Sequence, residues 1–599
     1  MLKRTLLAVL FVGMASLGFA QKLSYTVSFD EPQTHYCDVQ VVLENIKGNY
    51  IDFKLPVWAP GSYLIREFPK SIEQEKAVTD KDKKLKVEKI TKNTWRVFTE
   101  NSNKVIFSYK VYAFEMTVRT SFIDISHGYL NGSSIFMFPD GLANLPSTVT
   151  IKPYKTWKEI STGLSPVDAS NKFVLQVPNY DILADSPIEV GNQKIYTFTA
   201  AGVPHEVSMY GGGNYDEKDL VKDMAKIVEE TTSIFGENPC ATTPFNHYTF
   251  LVYSLFNGGG GLEHLNSTSL MSPRFGYQGE SYEGFLRLVA HEYFHVWNVK
   301  RLRPAPLGPF NYDTENYTKL LWISEGITSY YDNLIAYRAG YMSPDSYKQT
   351  LINDLANHEN SPGSKVQSVG ESSFDAWIKG YRPNENSRNS TISYYGSGSV
   401  MGSMLDLEIL GATKGQKGLD DVMRYMYQEY YKKLNRGFTE AEFQKAAELI
   451  AGQPLTIFTH VYSTLPVDYD KYLAYAGLSL GRYPTGAVNL GAKLADDDGK
   501  IIVKSVEKGS PAYTDDINVN DEIIAIDGHR MPSASFALSY ANSKRAGENM
   551  EFLISRDNVI MTVVVTADIG TGVGFRFLPQ NDQTSTQKAV YQRWLGGKK

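Results

Sequence analysis

One stretch of the chain decides its fold, and it reads Phe285-Leu286-Arg287-Leu288-Val289-Ala290-His291-Glu292-Tyr293-Phe294-His295-Val296-Trp297-Asn298. Its apolar residues lie on almost every side of a helix, which is typical of a helix buried inside a domain. His291 and His295 share one face of that helix, so both imidazoles can bind one Zn²⁺. Glu292 beside them can accept a proton from a water molecule on the metal. The alternative, two histidines in a core, gives Glu292 no role.

A hydrolytic zinc site needs a third protein ligand and an open position for water. The metzincin pattern would place Gly and His three and six residues after His295, but the chain has Asn298 and Arg301 there. A downstream carboxylate is the other route, and Glu325 lies in an apolar segment predicted to be helical over about 317–338. A carboxylate there is costly unless it is paired or binds a metal. On spacing alone, Glu325 is either the third ligand or a surface or helix-capping glutamate.

The composition is that of an ordinary globular protein. The chain has 599 residues, of which 42% are hydrophobic and 21% charged, and its net charge is −6. This length predicts about three or four domains, and the balanced charge provides no footprint for nucleic-acid binding. Two cysteines, Cys37 and Cys240, exclude a disulfide scaffold and can form one bridge or none.

The N-terminus has the pattern of an export signal. Lys3 and Arg4 precede an apolar stretch over 6–17, and Gly18-Phe19-Ala20 forms a small-x-small cleavage site. The stretch is shorter than the ~18–20 residues that span a bilayer. We therefore expect cleavage after Ala20, export to the periplasm or the medium, and no membrane insertion of the mature chain.

The hydrophobic period changes along the chain. Apolar and polar residues alternate over about 23–200, which predicts an antiparallel β-sandwich. A helix is predicted over 217–235, a strand over 248–253, and helical signals dominate over 283–475. Strands return beyond Pro484. The expected order is a β region, an α/β region, a helical region and a small β-rich module.

Local signals also predict where individual helices begin and end. Ser343 precedes Pro344, which places an N-cap residue before proline at the first helical position. Thr439 and Glu442 have the spacing of a capping box, and Gly452 is placed to end the helix that they begin.

Several motifs occur together in one known family. They are His291-Glu292-Tyr293-Phe294-His295-Val296-Trp297-Asn298, Trp322-x-x-Glu325-Gly326-x-Thr328-x-Tyr330-Tyr331, Trp58-Ala59-Pro60-Gly61-Ser62-Tyr63-x-Ile65-Arg66, and the segment 180–189. This combination resembles the glycyl aminopeptidase family of zinc peptidases over nearly the whole mature chain. By itself, the Pro/Gly-rich stretch 56–63 is interpreted as a structural loop that packs one tryptophan.

The resemblance implies a multidomain α+β protein. It consists of a signal peptide (1–20), an N-terminal β-sandwich (21–203), a thermolysin-like α/β plus helical catalytic domain (204–482), a PDZ domain (483–572) and a C-terminal tail (573–599). It also implies that Glu325 is the third ligand, with His291 and His295, of one Zn²⁺ per chain. Glu292 is then the general base.

The resemblance further assigns substrate contacts. Gly260-Gly261-Leu262-Glu263-His264 is similar to the segment by which related aminopeptidases bind substrate, with Glu263 on the free α-amino group. The role of His264 stays open. Tyr395 is implied to donate to the developing oxyanion, with a packing tyrosine as the alternative, because Ser397 stands where the related pattern has lysine.

Two further segments are given alternatives. Lys300, Arg301 and Arg303 are interpreted as a structural or solvated basic run in preference to a substrate-carboxylate site. Near the C-terminus, segments including Asn489-Leu490-Gly491-Ala492-Lys493-Leu494 and Gly509-Ser510-Pro511-Ala512 resemble a PDZ domain. Its loop Leu490-Gly491-Ala492 is expected to bind the end of a peptide ligand, unless the module only packs on the catalytic domain.

Together these expectations describe an exported zinc aminopeptidase. Its substrates are peptides with a free N-terminus, and the family resemblance implies a preference for N-terminal Gly or Ala. In this hypothesis Glu292 activates a zinc-bound water. The alternatives are a zinc endopeptidase that uses the same metal site, and a PDZ-type peptide-binding protein whose metal site is silent.

Overall fold

A computed structural model describes residues 20–236, 245–570 and 572–596. The predicted export signal before Ala20 lies outside the described residues, and so does Cys240. Cys37 is buried within the N-terminal domain. Within the described ranges no helix combines the length and the apolar character that a membrane span requires.

The N-terminal domain consists mainly of strands. They are β1 Lys22–Ser28, β2 Tyr36–Glu44, β3 Tyr50–Lys54, β4 Ile72–Val78, β5 Lys84–Leu85, β6 Val87–Thr91, β7 Thr94–Phe98, β8 Lys104–Tyr112, β9 Phe122–Ile123, β10 Gly128–Leu130, β11 Phe138–Pro139, β12 Ser147–Lys152, β13 Glu159–Thr162, β14 Pro166–Asp168, β15 Asn171–Val177 and β16 Ile188–Gly191. Two short helices, Gly132–Ile135 and Tyr180–Ala184, connect strands.

These strands form three sheets that share one apolar core. The largest has the order β14-β15-β12-β1-β2-β8-β4-β5, and the two four-stranded sheets have the orders β13-β16-β10-β9 and β11-β3-β7-β6. The alternation in the sequence matches the burial: Tyr25 and Val27 point into the core, while Thr26 between them is more exposed. One pairing departs from the antiparallel prediction, because β1 and β12 run parallel. The β-rich character of the domain confirms the predicted fold class.

The region predicted to be catalytic is built on a separate five-stranded sheet. Its strands are β17 Lys194–Ala200, β18 Val203–Tyr210, β19 Tyr248–Leu255, β20 Gly261–Glu263 and β21 Ser267–Pro273, in the order β17-β18-β19-β21-β20. The hairpin of β17 and β18 belongs wholly to this sheet. The predicted boundary between residues 203 and 204 is therefore displaced, since the sheet already begins at Lys194. A period of two identifies a strand but not the sheet that it joins.

Helices cover this sheet and form the rest of the region. They are Glu217–Phe235, Gly279–Phe294, the π-helical Trp322–Ile327, Thr328–Arg338, Pro344–Glu359, Val369–Phe374, Ser387–Ser390, Gly396–Ala412, Leu419–Met426, the π-helical Tyr427–Lys433, Glu440–Ala451, Ile457–Val461 and Tyr469–Leu473. The predicted helix 217–235 and the predicted caps are confirmed. Ser343 caps its helix, and Thr439 and Glu442 form the capping box.

His205 on β18 predicts a pH dependence of folding stability. Its Nδ1 lies 2.9 Å from the Val203 carbonyl oxygen and its Nε2 lies 3.0 Å from the Tyr293 hydroxyl. Burial lowers the pKa of His205 from 6.5 to about 4, against a smaller opposing effect of the Val203 hydrogen bond. Between pH 4 and pH 6.5, His205 is therefore protonated in the unfolded chain but stays neutral in the folded chain. The contribution of neutral His205 to the free energy of unfolding is complete above pH 6.5 and is lost as the pH falls toward 4. At pH 5 the loss is about 2 kcal/mol.

The measurement is urea unfolding of wild type and His205→Gln at pH 5 and pH 8. We expect the free energy of unfolding of wild type to fall more steeply toward pH 5 than that of the variant, because glutamine does not titrate. Other titrating groups are common to both proteins and cancel in the difference. Parallel pH profiles would show that His205 carries no such linkage.

The last region is a small module held on a two-stranded ribbon. The ribbon pairs β22 Leu478–Pro484 with β29 Val573–Pro579. Between them lie β23 Ala492–Asp497, β24 Lys500–Val506, β25 Glu522–Ile526, β26 His529–Arg530, β27 Asn549–Arg556, β28 Val559–Thr566 and the helices Pro511–Thr514 and Ala534–Asn542. Its main sheet has the order β23-β24-β25-β27-β28, so β23 is an edge strand.

The segment 573–599, predicted to be a tail, is instead folded from Val573 to Leu595. After β29, the helix Ser585–Leu595 packs on the catalytic core. The Trp594 indole donates to the Tyr330 hydroxyl at 3.0 Å, and the Tyr337 hydroxyl donates to the Leu595 carbonyl oxygen. The sequence pattern of one strand and one helix does not reveal the surface on which they pack.

Candidate active site

The helix Gly279–Phe294, here called the metal helix, carries the histidine motif in its last turn. Its residues Val289, Tyr293 and Phe294 are fully buried, as the apolar pattern predicts. Just beyond its end, the side-chain amide of Asn298 donates to the Ile323 carbonyl oxygen at 2.7 Å and to the Thr328 hydroxyl at 3.0 Å. These bonds fix the end of the metal helix against the segment that contains Glu325.

Glu325 lies in the π-helical segment Trp322–Ile327, which continues as the helix Thr328–Arg338. The helical segment starts later than the predicted residue 317. Close packing holds it in place: a Cβ on Gly326 would lie 2.5 Å from the Gly398 Cα atom. Single turns of π-helix occur frequently at functional sites. The glycine pair thus brings the helix Gly396–Ala412 against the turn that positions Glu325.

His291, His295 and Glu325 converge on one point. The Glu325 Oε2 atom lies 3.5 Å from His291 Nε2 and 3.3 Å from His295 Nε2, and the three ligand atoms lie within 4.8 Å of one another. Two ligands of a tetrahedral zinc ion, each about 2.0–2.1 Å from it, are about 3.4 Å apart. The spacing and the chemistry of the donors therefore fit Zn²⁺.

The far nitrogen of each histidine is also held. His291 Nδ1 lies 2.9 Å from Asp332 Oδ2, and His295 Nδ1 lies 2.8 Å from the Asn298 carbonyl oxygen. Such partners fix the ring orientation and the tautomer, so that Nε2 faces the metal. Burial opposes ionisation of Glu325, but the charges and hydrogen bonds of the two histidines outweigh it and hold its pKa far below the usual value. The glutamate is therefore an anionic ligand.

Glu292 is buried next to this triad. Within the described residues, its Oε2 atom has no hydrogen-bond partner. Burial raises its pKa to about 7 although the charges of His291 and His295 oppose the shift. A Cβ on Gly261 would overlap the Glu292 carboxyl group, so the glycine is required for the approach of β20. A buried carboxylate with a free oxygen and a pKa near 7 has the properties of a general base.

Glu263 stands at the end of the edge strand β20, close to Glu292 and His295. Ligand atoms of Glu263, Glu292 and His295 lie within 4.8 Å of one another. A Cβ on Gly61 would lie 2.6 Å from Glu263 Oε1, and Gly61 has φ +84, which favours glycine. The loop 56–63 therefore does more than the packing predicted for it, because it covers the Glu263 carboxylate. Gly260, with φ +92, gives the turn that leads into β20.

His264 and the basic run 300–303 form contacts within the protein. His264 Nδ1 lies 3.3 Å from Asp185 Oδ1, and Lys300 Nζ lies 2.7 Å from the same oxygen. The Arg301 guanidinium donates to the carbonyl oxygens of Val296 and Leu265, both at 2.9 Å. These contacts agree with the structural interpretation of Lys300 and Arg301. Arg303 stacks over the Phe310 ring at 6.0 Å.

Tyr395 borders the metal-binding space. It immediately precedes the helix Gly396–Ala412, and its ring is stacked 6.2 Å from the His291 ring. Burial and the Glu325 charge raise the pKa of Tyr395 well above its usual value, so its hydroxyl keeps the proton that it would donate. The structure thus brings Tyr395 together with the metal triad, Glu292 and Glu263.

The structure adds residues that the sequence analysis did not identify. Asp332, which orients His291, comes immediately after the tyrosine pair of the second motif. Tyr381 and Arg119 also border the active site, and Arg119 comes from the N-terminal domain, between β8 and β9. Arg119 has no motif or spacing that could have indicated it. Asp332 does have a signal, because a ligand histidine almost always donates its other N–H to an acceptor.

The loop Leu490-Gly491-Ala492 lies in the small module, away from the metal triad. The Leu490 amide donates to Asn542 Oδ1 at 3.2 Å and the Gly491 amide to Asn489 Oδ1 at 3.0 Å. Two of the three amides expected to meet a peptide therefore have partners inside the module. Ala492 begins the edge strand β23, to which an extended peptide could add.

Comparisons with known proteins agree with this geometry. The profile of the peptidase M61 N-terminal domain matches residues 24–192, that of the M61 glycyl aminopeptidase matches residues 284–401, and that of a PDZ domain matches residues 488–566. No curated protein matches the chain at a significant level.

Solved structures agree as well. The crystal structure of an aminopeptidase N family protein from Idiomarina loihiensis aligns with a TM-score of 0.87 and 28% identity, over 96% of this chain and 100% of that one. An M1 zinc metallopeptidase from Deinococcus radiodurans aligns with a TM-score of 0.46 and 13% identity, over 75% of this chain and 94% of that one. Native yeast LTA4 hydrolase aligns with a TM-score of 0.44 and 11% identity, over 76% of this chain and 72% of that one. This chain belongs to the M61 glycyl aminopeptidase family and is a zinc aminopeptidase with a PDZ domain.

Proposed function

We propose that this aminopeptidase is exported, holds one Zn²⁺ per chain, and removes single N-terminal residues, with Gly and Ala preferred. The observation that carries the proposal is the position of Glu263 beside Glu292 and His295. The pattern of residues 1–20 supports export. The edge strand β23 supports a peptide ligand for the PDZ domain.

Glu263 is suited to bind a free α-amino group. Its side chain is buried, and within the described residues no lysine or arginine forms an ion pair with it. The Lys300 ammonium is close enough to Glu263 for an electrostatic interaction, but it forms its ion pair with Asp185 instead. A buried carboxylate without a cation is costly, and a substrate ammonium supplies the missing charge. One extended residue spans ~3.3–3.6 Å, so an amine on Glu263 places the first carbonyl group at the histidines.

The space beside Glu263 favours a small first residue. Gly61 presses the loop 56–63 directly onto the carboxylate. A cavity of about 90 Å³ adjoins Glu263, and its wall includes Trp58, Tyr63 and Phe310. This volume and the closeness of the loop leave little room for a large side chain near the bound amine, which supports the preference for Gly and Ala.

The metal ligands, Glu292 and Tyr395 then each have a separate role in the reaction. A Zn²⁺ ion held by His291, His295 and Glu325 would polarise the scissile carbonyl group and make water more acidic. Glu292 accepts the proton of the attacking water on its Oε2 atom, which has no hydrogen-bond partner among the described residues, and passes it to the leaving amine. The Tyr395 hydroxyl donates a hydrogen bond to the oxygen on which negative charge develops.

The test compares Gly-, Ala- and Leu-p-nitroanilide with N-acetyl-Gly-p-nitroanilide, for wild type and for Glu263→Gln. We expect wild type to cleave the free-amine substrates alone, with Gly and Ala ahead of Leu, and a chelator to abolish cleavage. Glu263→Gln has the same shape but no charge. It should lower kcat/KM for Gly-p-nitroanilide by about 10- to 100-fold, since a charge-assisted contact becomes neutral.

Cleavage of the acetylated substrate at a similar rate would instead favour the endopeptidase and remove the role of Glu263. An unchanged kcat/KM of Glu263→Gln would contradict the amine contact directly. If zinc binds and no substrate is turned over, the PDZ-type peptide-binding alternative is favoured.

A further inference from the structure

A large cavity opens next to the metal-binding space. Its volume is about 870 Å³, and it shares Arg119 and Tyr395 with the space of about 540 Å³ that contains the metal triad. Glu263 is not part of its wall. The cavity therefore extends toward the part of a substrate that follows the first residue.

Two arginines of the N-terminal domain, Arg66 and Arg119, line this cavity. The Arg66 guanidinium donates to the Ser62 hydroxyl at 3.2 and 3.1 Å, and Arg119 Nη2 reaches the Gly261 carbonyl oxygen at 3.5 Å. Arg119 Nε is buried and has no hydrogen-bond partner in the part of the chain that the structure describes. Neither guanidinium forms an ion pair within those residues. Glu263 and Glu292, whose charges act on Arg119, are the groups assigned to the amine and to the attacking water. Asp354 also lines the cavity, and within the described residues it forms no ion pair with either arginine.

The other cations of the cavity wall contrast with this pair. Lys379 Nζ lies 2.8 Å from Asp375, and Arg388 Nε lies 2.6 Å from Glu507 of the PDZ domain. Their charges are neutralised by the protein itself. Two partly buried like charges that face one cavity are unfavourable unless an anion joins them. A guanidinium fork matches a carboxylate in geometry and can bind both of its oxygens.

The location of Arg119 sets the distance of that anion from the reaction. The Gly261 carbonyl oxygen accepts the hydrogen bond from the Arg119 guanidinium, while the Cα atom of Gly261 faces the Glu292 carboxyl group. The guanidinium therefore lies within one or two residues of the scissile bond. The end of a dipeptide or tripeptide reaches this point, whereas a long chain would place its terminal carboxylate far beyond it.

We propose that Arg119 and Arg66 bind the C-terminal carboxylate of short substrates, so that dipeptides and tripeptides are preferred. This inference rests on the proposed function, since Glu263 must hold the amine while the arginines hold the opposite end. Both ends of the substrate are then fixed by charge. The selection is for length as well as for the first residue.

The experiment measures kcat/KM for Gly-Ala and Gly-Ala-Ala as free acids and as C-terminal amides. Wild type is expected to prefer each acid over its amide by about 10- to 100-fold, the usual effect of a charge-assisted contact. Arg119→Gln should reduce this acid-to-amide ratio to near 1, mainly through KM, and Arg66→Gln should reduce it partly. Lys379→Gln is the matched control on the same wall and should keep the ratio of wild type, because its charge is already paired.

Each other outcome overturns the inference. Equal cleavage of acids and amides by wild type would remove the carboxylate site, and this comparison needs no variant to fold. An equal loss on acids and amides in Arg119→Gln would place the guanidinium at the reacting carbonyl group instead. Gly-p-nitroanilide, which has no carboxylate, separates the two proposals: if it is cleaved while acids and amides do not differ, the aminopeptidase stands and the arginine assignment fails.

Discussion

Glu292→Gln is expected to lower kcat by about 10²- to 10⁴-fold while the protein keeps its zinc. The substitution preserves the shape of the side chain and removes the basic oxygen. In the structure this oxygen has no partner among the described residues, so it is available to the attacking water. Glu292 is not one of the three residues assigned to the metal, which are His291, His295 and Glu325, and the metal content should therefore stay close to that of wild type.

The measurement combines steady-state hydrolysis of Gly-p-nitroanilide with zinc analysis of the same samples. Glu280→Gln is a suitable control, because Glu280 is an exposed residue in the first turn of the same helix. It should leave kcat unchanged. A Glu292→Gln enzyme with more than one tenth of the wild-type kcat would exclude Glu292 as the general base.

Glu325→Gln should weaken zinc binding by more than 100-fold and abolish activity for that reason. The amide is a poor metal ligand, and it leaves His291 and His295 without an anionic partner. Asp332→Asn changes a residue that only orients His291, at 2.9 Å, so its expected loss of affinity is smaller, about 10- to 100-fold. The two variants therefore test the same site at different distances from the metal.

Both affinities can be obtained by competition against a chelator of known zinc affinity. Excess zinc should restore hydrolysis to Asp332→Asn but not to Glu325→Gln at the same concentration. Thermal unfolding of the zinc-free proteins provides the check on folding. If Asp332→Asn lost more affinity than Glu325→Gln, the assignment of ligand and orienting residue would be reversed.

The sequence was sufficient where the chemistry is local. The spacing of four positions from His291 to His295 places both imidazoles on one helical face, and the structure brings them together. The capping box of Thr439 and Glu442 likewise depends on neighbours along the chain. Such features follow from helical geometry and require no knowledge of the rest of the fold.

Other features depend on contacts between distant segments. Arg119 lies in a loop of a different domain, and only the packing of the two domains brings it to Gly261. The loop 56–63 contains Gly61, whose closeness to Glu263 is equally long-range. The hairpin that begins at Lys194 has the same period as the strands before it, so the sequence did not indicate that it joins the sheet of the catalytic region. Periodicity reports local burial and not the identity of the neighbour.

The ribbon of β22 and β29 has a consequence for biosynthesis. The PDZ domain lies between these strands, and the helix Ser585–Leu595 that follows them packs against Tyr330 and Tyr337, on the helix that continues from the Glu325 turn. Domains generally fold as they leave the ribosome, starting from the N-terminus. Here the support for a metal ligand is translated after the PDZ domain. The ribosome must therefore finish the PDZ domain before the peptidase core can be completed, and a nascent chain released early would lack that support.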